Sequence, residues 1–316
     1  MTEKILVIHQ GALGDLVLSF PALISLKDEK KAFVCLLCKD ELGKLAHKLG
    51  VVDAYFSLES AKLATLFSKE MTPFVKTFTG AYTTLVLLSF SESMERHVRR
   101  NFSGKVFRIS PRPPADDETH VADSLVGEFQ DKGLIRNQRV GSWREELAVG
   151  QGRHQPETGL CLIHPGAGSS RKLLPIEFFV QLAARLEVMN LGKVSFVIGP
   201  AELEMTSIIR ARGFQLYDDC DLWQLIPLLT ETTLFIGHDS GVTHLASFMN
   251  TPTIAIFGPS SPKRWAPLGR AVKVLRGEID CEPCFEIENA NCDNPRCLHG
   301  VTIDMVLGAI KALNTI

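Results

Sequence analysis

KILVIHQGA, residues 4–12, is a short apolar run that leads into a glycine turn, and its last five letters return as IHPGA at residues 163–167. The second copy also closes an apolar run. The repetition predicts a chain built as two similar halves, in each of which a buried parallel strand ends near a glycine. Without a side chain there, the backbone can come close to a phosphate or a sugar. A five-letter match can also arise by chance, so the surrounding pattern has to decide.

The rest of the chain alternates between strand-length apolar runs and segments with helical periodicity. The runs cover residues 5–8, 33–37, 85–88, 160–163, 194–198, 234–236 and 253–257, and the helical segments include 16–26, 178–186, 203–209 and a final helix over 303–313. Such alternation predicts an α/β fold of parallel sheets with helices on both faces. The polar stretch over 141–158, interrupted by glycines and a proline, predicts the linker between a domain over residues 1–150 and a second over 151–316. The final helix can pack on either half.

The composition is that of an ordinary globular protein: 316 residues, 45% of them apolar and 22% charged, with a net charge of −2. No apolar run approaches the roughly 20 residues that span a bilayer. Because the stretch from Met1 to Lys4 leads directly into a predicted strand, we expect no signal peptide. We therefore expect a cytoplasmic protein. The net charge argues against a dedicated nucleic-acid binder, which needs a large basic excess.

A local basic segment lies between residues 96 and 108. Its side chains are Arg96, His97, Arg99, Arg100, Lys105 and Arg108, interleaved with Phe102 and Phe107. The segment is either a solvated helix face or a surface for an anionic, lipid-linked partner.

The first segment that could carry chemistry is 11–15, between the first strand and the following helix. It is not the GxGxxG dinucleotide fingerprint, because Asp15 stands where the third glycine would fall. An acidic residue at a helix start is often only a cap. In the functional interpretation, Gly11 and Gly14 let a substrate approach the backbone, and Asp15 lies at the carboxyl edge of the sheet, where open parallel sheets bind ligands.

The second segment is HPGAGSSRK, residues 164–172. Backbone N–H groups around Gly168, the hydroxyl of Ser169 and the cation of Lys172 can form a cradle for an anion. The spacing is not that of a Walker A loop. A purely structural turn would hardly need two serines, an arginine and a lysine together, so we predict contact with a phosphate.

A single carboxylate, Glu202, follows another predicted strand end. At that edge it could accept hydrogen bonds from both hydroxyls of a nucleotide ribose. The alternative is an acidic residue in the first turn of a helix.

The third segment, GHDSGVTH at residues 237–244, is the most specific. Asp239 and Ser240 can cap the helix that follows, and the N–H groups of Gly241 and Val242 point along its positive end. A diphosphate would fit there. A mere N-cap needs one polar residue, whereas this segment has five.

Three groups of residues raise the question of a metal ion. They are the DxD pair Asp219 and Asp221, the trio His238, Asp239 and His244, and the late cysteines Cys281, Cys284, Cys292 and Cys297. Asp221 directly precedes an apolar helix over 222–229 and is the expected cap of that helix. Adjacent side chains on a turn rarely converge on one ion. The cysteines form either a small zinc knot or free thiols or a loop disulfide. We expect no metal in the functional site and no cofactor.

Three stretches together resemble glycosyltransferase family 9, the lipopolysaccharide heptosyltransferases. They are KILVIHQGALGDLVLSFPAL (4–23), HPGAGSSRKLLPIEFF (164–179) and FIGHDSGVTHLASFMNTPTIAIFGPSSPKRWAP (235–267). The resemblance spans nearly the whole chain in the expected order, although residues 40–130 contribute little to it. It implies a GT-B fold, in which two Rossmann-like domains with parallel sheets face each other across a cleft. Residues 1–150 would bind the acceptor and 151–316 the ADP-heptose donor.

The family also implies roles for single residues and an inverting, metal-independent transfer. Asp15 matches the general base and Lys172 the lysine on the donor phosphates. The remaining matches are Gly168 and Ser169 in the phosphate loop, Glu202 at the ribose, and Asp239, Ser240, Gly241 and His244 around the diphosphate and the sugar.

The implied reaction moves heptose from ADP-heptose to a hydroxyl of the lipid-linked lipopolysaccharide core, at the cytoplasmic face of the inner membrane. The alternatives are a transferase for another nucleotide sugar or acceptor, a nucleotide-sugar epimerase of similar two-domain plan, and a non-catalytic nucleotide-binding module.

Overall fold

The computed structural model describes residues 2–68, 70–136, 159–218, 220–277, 282–287, 292 and 295–313. The chain divides into two units, one of Met1–Pro114 with Val121–Trp143 and the other of Ala115–His120 with Arg144–Ile316. The predicted linker over 141–158, and with it the predicted boundary at residue 150, lies outside the described residues.

The first unit is built on a five-stranded parallel sheet with the strand order β3-β2-β1-β4-β5. The strands are β1 Lys4–His9, β2 Phe33–Cys38, β3 Ala54–Ser57, β4 Thr84–Leu88 and β5 Lys105–Ile109. The helices are α1 Leu13–Lys30, α2 Asp40–Lys48, α3 Pro73–Gly80, α4 Glu92–Asn101 and α5 Val121–Asp131, with a 3₁₀ turn at Ala61–Leu63. Leu6 and Ile8 belong to a core cluster with residues of α3 and α4. Ile5 and Val7, on the opposite face of β1, are also fully buried. The sheet is therefore covered on both faces.

The second unit carries a six-stranded parallel sheet with the order β11-β10-β9-β6-β7-β8. The strands are β6 Leu160–His164, β7 Lys193–Val197, β8 Gln215–Tyr217, β9 Thr232–His238, β10 Thr253–Ile256 and β11 Val272–Leu275. The helices are α6 Ile176–Val188, α7 Thr206–Ala211, α8 Leu225–Thr230, α9 Gly241–Phe248, α10 Pro262–Trp265, α11 Arg296–His299 and α12 Ile303–Leu313, with 3₁₀ turns at Ser170–Lys172, Pro200–Met205 and Leu222–Gln224. The final helix, α12, packs on the core of this unit, where Ile310 joins Ile163 and Phe179.

In both sheets the strand order reverses at a central strand, which is β1 in the first and β6 in the second. From each central strand the chain first builds outward on one side and then crosses to the other. Right-handed connections place the helices of the two sides on opposite faces. The two copies of the repeated pentapeptide lie at the carboxyl ends of these two equivalent strands. The predicted repeat of the fold is therefore confirmed.

The predicted helix over 203–209 is divided into the 3₁₀ turn Pro200–Met205 and α7, and the one over 222–229 into the turn Leu222–Gln224 and α8. In the part of the chain that the structure describes, no helix is long and apolar enough to cross a bilayer.

Candidate functional site

The two copies of the pentapeptide build the same local arrangement. His9 and His164 end β1 and β6 and are buried, and each is followed two residues later by a glycine. A Cβ on Gly11 would lie 3.0 Å from Cε1 of His9 and 2.7 Å from Cβ of Asp15. A Cβ on Gly166 would lie 2.8 Å from Cε1 of His164 and would collide with the carboxylate of Glu202. At each central strand, glycine is thus required because a histidine and a carboxylate fill the space beside it.

Asp15 is the third residue of α1 and is half-buried at the carboxyl end of β1. Its Oδ2 accepts a hydrogen bond from the N–H of Ala12 at 3.0 Å. The capping role is therefore present. Burial lowers the pKa of the neighbouring His9 to about 4, although the charge of Asp15 works against that shift. His9 is thus a neutral ring beside the carboxylate at neutral pH.

The predicted phosphate loop leaves β6 and turns through Ser170–Lys172. The Oγ of Ser169 accepts a hydrogen bond from the N–H of Arg171 at 3.3 Å, which starts this turn. Lys172 does not project freely from the loop, because its Nζ lies 2.6 Å from Oδ2 of Asp239. Only 15% of the Lys172 side chain and 7% of the Asp239 side chain are exposed. Two of the predicted site residues, far apart in the sequence, therefore form one ion pair.

The structure corrects the prediction that Asp239 caps the helix after β9. Ser240 alone is the N-cap of α9, and its Oγ accepts a hydrogen bond from the N–H of Thr243 at 3.3 Å. The carboxylate of Asp239 turns to Lys172, with His244 Nε2 at 3.7 Å from its other oxygen. Burial by itself would raise the pKa of Asp239, but His244 and Lys172 outweigh it and hold the pKa far below its usual range. Asp239 is therefore a buried anion held by two basic groups.

Sequence reasoning missed the position of His238, which it treated only as a metal ligand. The ring is fully buried, with Nδ1 3.0 Å from the carbonyl oxygen of Pro165 and Nε2 2.9 Å from the backbone nitrogen of Leu174. Burial lowers its pKa to about 3. Because its partners are 73 and 64 residues away, no local sequence signal could have revealed them.

Sequence reasoning also missed Phe285, whose ring centroid lies 4.0 Å from Nζ of Lys172. The segment 282–287 is held by Arg264, whose Nε is 2.8 Å from Glu286. Arg171 also donates a hydrogen bond to the carbonyl oxygen of Cys284 at 3.2 Å. The predicted cations thus lie under a segment more than a hundred residues later in the chain.

Comparison with known proteins finds a similar family. The family model described as Glycosyltransferase family 9 (heptosyltransferase) matches residues 138–293. A lipooligosaccharide heptosyltransferase 2 from Haemophilus influenzae is 28% identical over 165 residues, which cover 43% of this chain and 47% of that relative. The chain is thus similar to glycosyltransferase family 9 over residues 138–293. It spans about half the length of the curated heptosyltransferases that it matches first.

Two solved structures establish the fold of the chain. A family 9 glycosyl transferase from Veillonella parvula has a TM-score of 0.73 at 20% identity, covering 98% of this chain and 97% of its own. The ADP-heptose lps heptosyltransferase II of Escherichia coli has a TM-score of 0.70 at 18% identity, with 98% of each chain covered. The predicted α/β fold of the GT-B type, with two Rossmann-like domains, is confirmed.

Glu202 is a buried residue of the turn Pro200–Met205. Its Oε2 accepts a hydrogen bond from the N–H of Gly199 at 2.9 Å, as expected for an acidic residue in the first turn of a helix. Its other oxygen lies beside Gly166. The carboxylate therefore fills the space next to the predicted phosphate loop.

The groups considered for metal binding have different surroundings. Asp219 and Cys281 lie outside the described residues. Asp221 is the N-cap residue of the turn Leu222–Gln224, as predicted. Cys284 is half-buried, Cys292 exposed and Cys297 buried. Within the described ranges, no three His, Cys, Asp or Glu side chains lie close enough to hold an ion together.

The basic segment on α4 and β5 is largely paired with its own acids. Arg99 and Arg108 lie 2.8 and 2.7 Å from Glu95, and Arg96 lies 3.5 Å from Glu92. Hydrogen bonds from Arg108 first and Arg99 next lower the pKa of Glu95 despite some burial. These ion pairs favour the interpretation as a solvated helix face.

Proposed function

We propose that this chain transfers a heptose from ADP-heptose to a sugar hydroxyl of the lipopolysaccharide inner core. The match to glycosyltransferase family 9 over residues 138–293 supports the reaction class, and similar proteins in Haemophilus influenzae and Escherichia coli are named heptosyltransferases. The observation that carries the proposal is the ion pair of Lys172 and Asp239 at the start of α9. It puts a cation, a helix N-terminus and the loop of Ser169 at one edge of a parallel sheet, where anionic ligands bind.

The donor would bind to the predicted domain over residues 151–316, which carries the second sheet. Lys172 and the first N–H groups of α9, at Gly241, would face the diphosphate. A Cβ on Gly168 would meet nothing within 4 Å, so the loop is open on that side. As ADP departs, negative charge grows on its terminal phosphate, and positive groups already in place stabilise that charge. Lys172 can stabilise that negative charge, so we propose that the transfer needs no metal ion.

Other residues of this unit would contact the rest of the donor. Glu202 would accept hydrogen bonds from the ribose, and Ser169, Ser240 and His244 would line the diphosphate and the heptose. Asp239 would hold Lys172 in place before the diphosphate arrives. Its charge, buried between two basic groups, is stable there at neutral pH.

The acceptor would bind to the predicted domain over residues 1–150, next to Asp15. The Asp15 carboxylate takes the proton of the acceptor hydroxyl as that oxygen attacks the anomeric carbon of the donor. The bond from that carbon to the ADP oxygen breaks, and the electron pair leaves with ADP. One displacement from the opposite side inverts the anomeric centre. Because the acceptor is lipid-linked, the reaction would take place at the cytoplasmic face of the inner membrane, with peripheral contact between enzyme and lipid.

The test replaces Asp15 by Asn and measures heptose transfer from ADP-heptose to truncated core acceptors by mass spectrometry. General-base catalysis contributes about 10²–10⁴ in rate, so kcat should fall by that factor while ADP affinity stays unchanged. Asp40→Asn is the matched control, because Asp40 is an exposed first-turn acid of α2. Unchanged turnover in Asp15→Asn would exclude Asp15 as the base. Isomerised donor in the absence of any acceptor would instead identify an epimerase.

A further inference from the structure

The two ends of the phosphate loop meet at one buried side chain. The loop, residues 165–174, begins where β6 ends and returns just before α6. His238, the last residue of β9, contacts the carbonyl oxygen of Pro165 at 3.0 Å and the backbone nitrogen of Leu174 at 2.9 Å. These are the first and the last residues of the loop.

The chemistry of the two partners fixes which form of the ring is present. A carbonyl oxygen only accepts, so Nδ1 of His238 must carry a hydrogen and donate it to Pro165. A backbone N–H only donates, so Nε2 must be bare and accept from Leu174. Only the neutral ring protonated on Nδ1 satisfies both. Burial keeps the ring neutral, since it lowers the pKa of His238 to about 3. Phe179 packs against it edge-on, with ring centroids 4.9 Å apart.

The adjacent residue holds the middle of the same loop. Asp239, the residue that follows β9, pairs with Lys172 at 2.6 Å, so two consecutive side chains hold the loop at three points. Between the two ends, Ser169 is the N-cap of the turn Ser170–Lys172, and Lys172 is the last residue of that turn. A loop that is already ordered loses less freedom when a ligand binds.

We propose that His238 is a positioning residue that fastens both ends of the phosphate loop and thereby holds Lys172 ready for the donor diphosphate. The proposal rests on the proposed function, because it assumes that this loop binds the diphosphate. His238 itself is fully buried, so it would act through the loop and not by contact with the substrate.

Three substitutions separate the two hydrogen bonds. His238→Asn places an amide near the former Nδ1, so it keeps the bond to Pro165 and loses the one to Leu174. His238→Gln reaches the former Nε2 position and does the opposite. His238→Leu loses both. Phe179→Leu is the matched control, because it leaves a cavity in the same core and keeps both hydrogen bonds of His238.

Calorimetry with ADP, well below the melting temperature, gives the first readout. His238→Leu should raise the Kd for ADP on the order of tenfold, since two hydrogen bonds to the loop are lost. The Asn and Gln variants should lie between it and the wild type, and they keep the test valid if the Leu variant does not fold. Phe179→Leu should lower the melting temperature and leave the Kd unchanged.

Hydrogen exchange of the Leu174 amide gives a second readout that needs no ligand. It should accelerate in the Asn and Leu variants but not in the Gln variant or in Phe179→Leu. The proposal is wrong if ADP affinity is the same in all His238 variants, or if it falls in Phe179→Leu as much as in His238→Leu. If the wild type does not bind ADP, the proposed donor is wrong, while the exchange pattern still decides whether His238 fastens the loop.

Discussion

Lys172 and Asp239 depend on each other for both stability and charge. Their side chains are 15% and 7% exposed, and their charged atoms lie 2.6 Å apart. A buried ion pair contributes little net stability compared with two apolar side chains, but breaking it leaves one charge without its partner in a poorly solvated place. Lys172 would also supply the positive charge for a departing diphosphate, so stability and activity can be separated by substitution.

We expect Lys172→Met to destabilise the protein on the order of 3 kcal/mol, because Asp239 then remains as a buried anion with only His244 beside it. Lys172→Met combined with Asp239→Asn should recover most of that stability, since no buried charge is left. Neither variant should reach the turnover of the wild type. Thermal melting and kcat provide the two measurements.

The control for this cycle is Lys263→Met, which breaks the exposed ion pair of Lys263 with Glu118 at 2.8 Å. Such surface pairs contribute almost nothing to stability. A Lys172→Met protein as stable as the wild type would contradict the buried-charge argument.

The turns that follow the two central strands depend on glycine for reasons of space. At Gly166 an added Cβ would collide with Glu202 and come within 2.8 Å of His164. At Gly168, two residues along the same loop, an added Cβ would meet nothing within 4 Å. One loop thus contains a packed glycine and an open one.

Gly166→Ala should therefore lower the stability of the protein by about 1–3 kcal/mol, the usual cost of overpacking. Gly168→Ala should leave the melting temperature unchanged and is the matched control. Equal melting temperatures for the two variants would show that Glu202 and His164 can move aside at no cost.

The strands predicted from the sequence are the interior ones of both sheets: β1, β2, β4, β6, β7, β9 and β10. The four strands that the apolar runs missed, β3, β5, β8 and β11, are the four sheet edges of the described chain. Interior strands are covered on both faces and read as continuous apolar runs. Edge strands such as β3 and β11 have no fully buried residue, so their composition resembles that of a loop.

Buried neutral histidines in both units make the stability of the protein depend on pH. Burial lowers the pKa of His9 to about 4 and of His238 to about 3, and it also lowers the pKa of His164. In the unfolded chain each of them would titrate near 6.5. Below that pH the unfolded chain takes up protons that the native protein does not, so unfolding becomes more favourable.

The melting temperature should thus be flat above pH 7 and fall steadily between pH 6.5 and 4. Each buried histidine contributes up to about 1.4 kcal/mol per pH unit in that window. In His9→Gln the melting temperature should fall less steeply with decreasing pH, because the variant lacks one of the histidines that take up a proton on unfolding. Scanning calorimetry across the range measures both slopes, and a melting temperature independent of pH from 7 to 4.5 would refute the argument.

The amino-acid sequence was enough to predict the interior strands, the glycine turns after β1 and β6, the repetition of the fold and the resemblance to glycosyltransferase family 9. Each of these is a local pattern, because burial on two faces and a tight turn leave their mark on consecutive residues. The tertiary structure decided the partners of the polar side chains: Asp239 with Lys172 instead of its own helix, His238 with both ends of the phosphate loop, and Phe285 over Lys172. Those partners come from strands and loops distant in the sequence. Only the packing of the second sheet brings them within hydrogen-bonding or ring-contact distance.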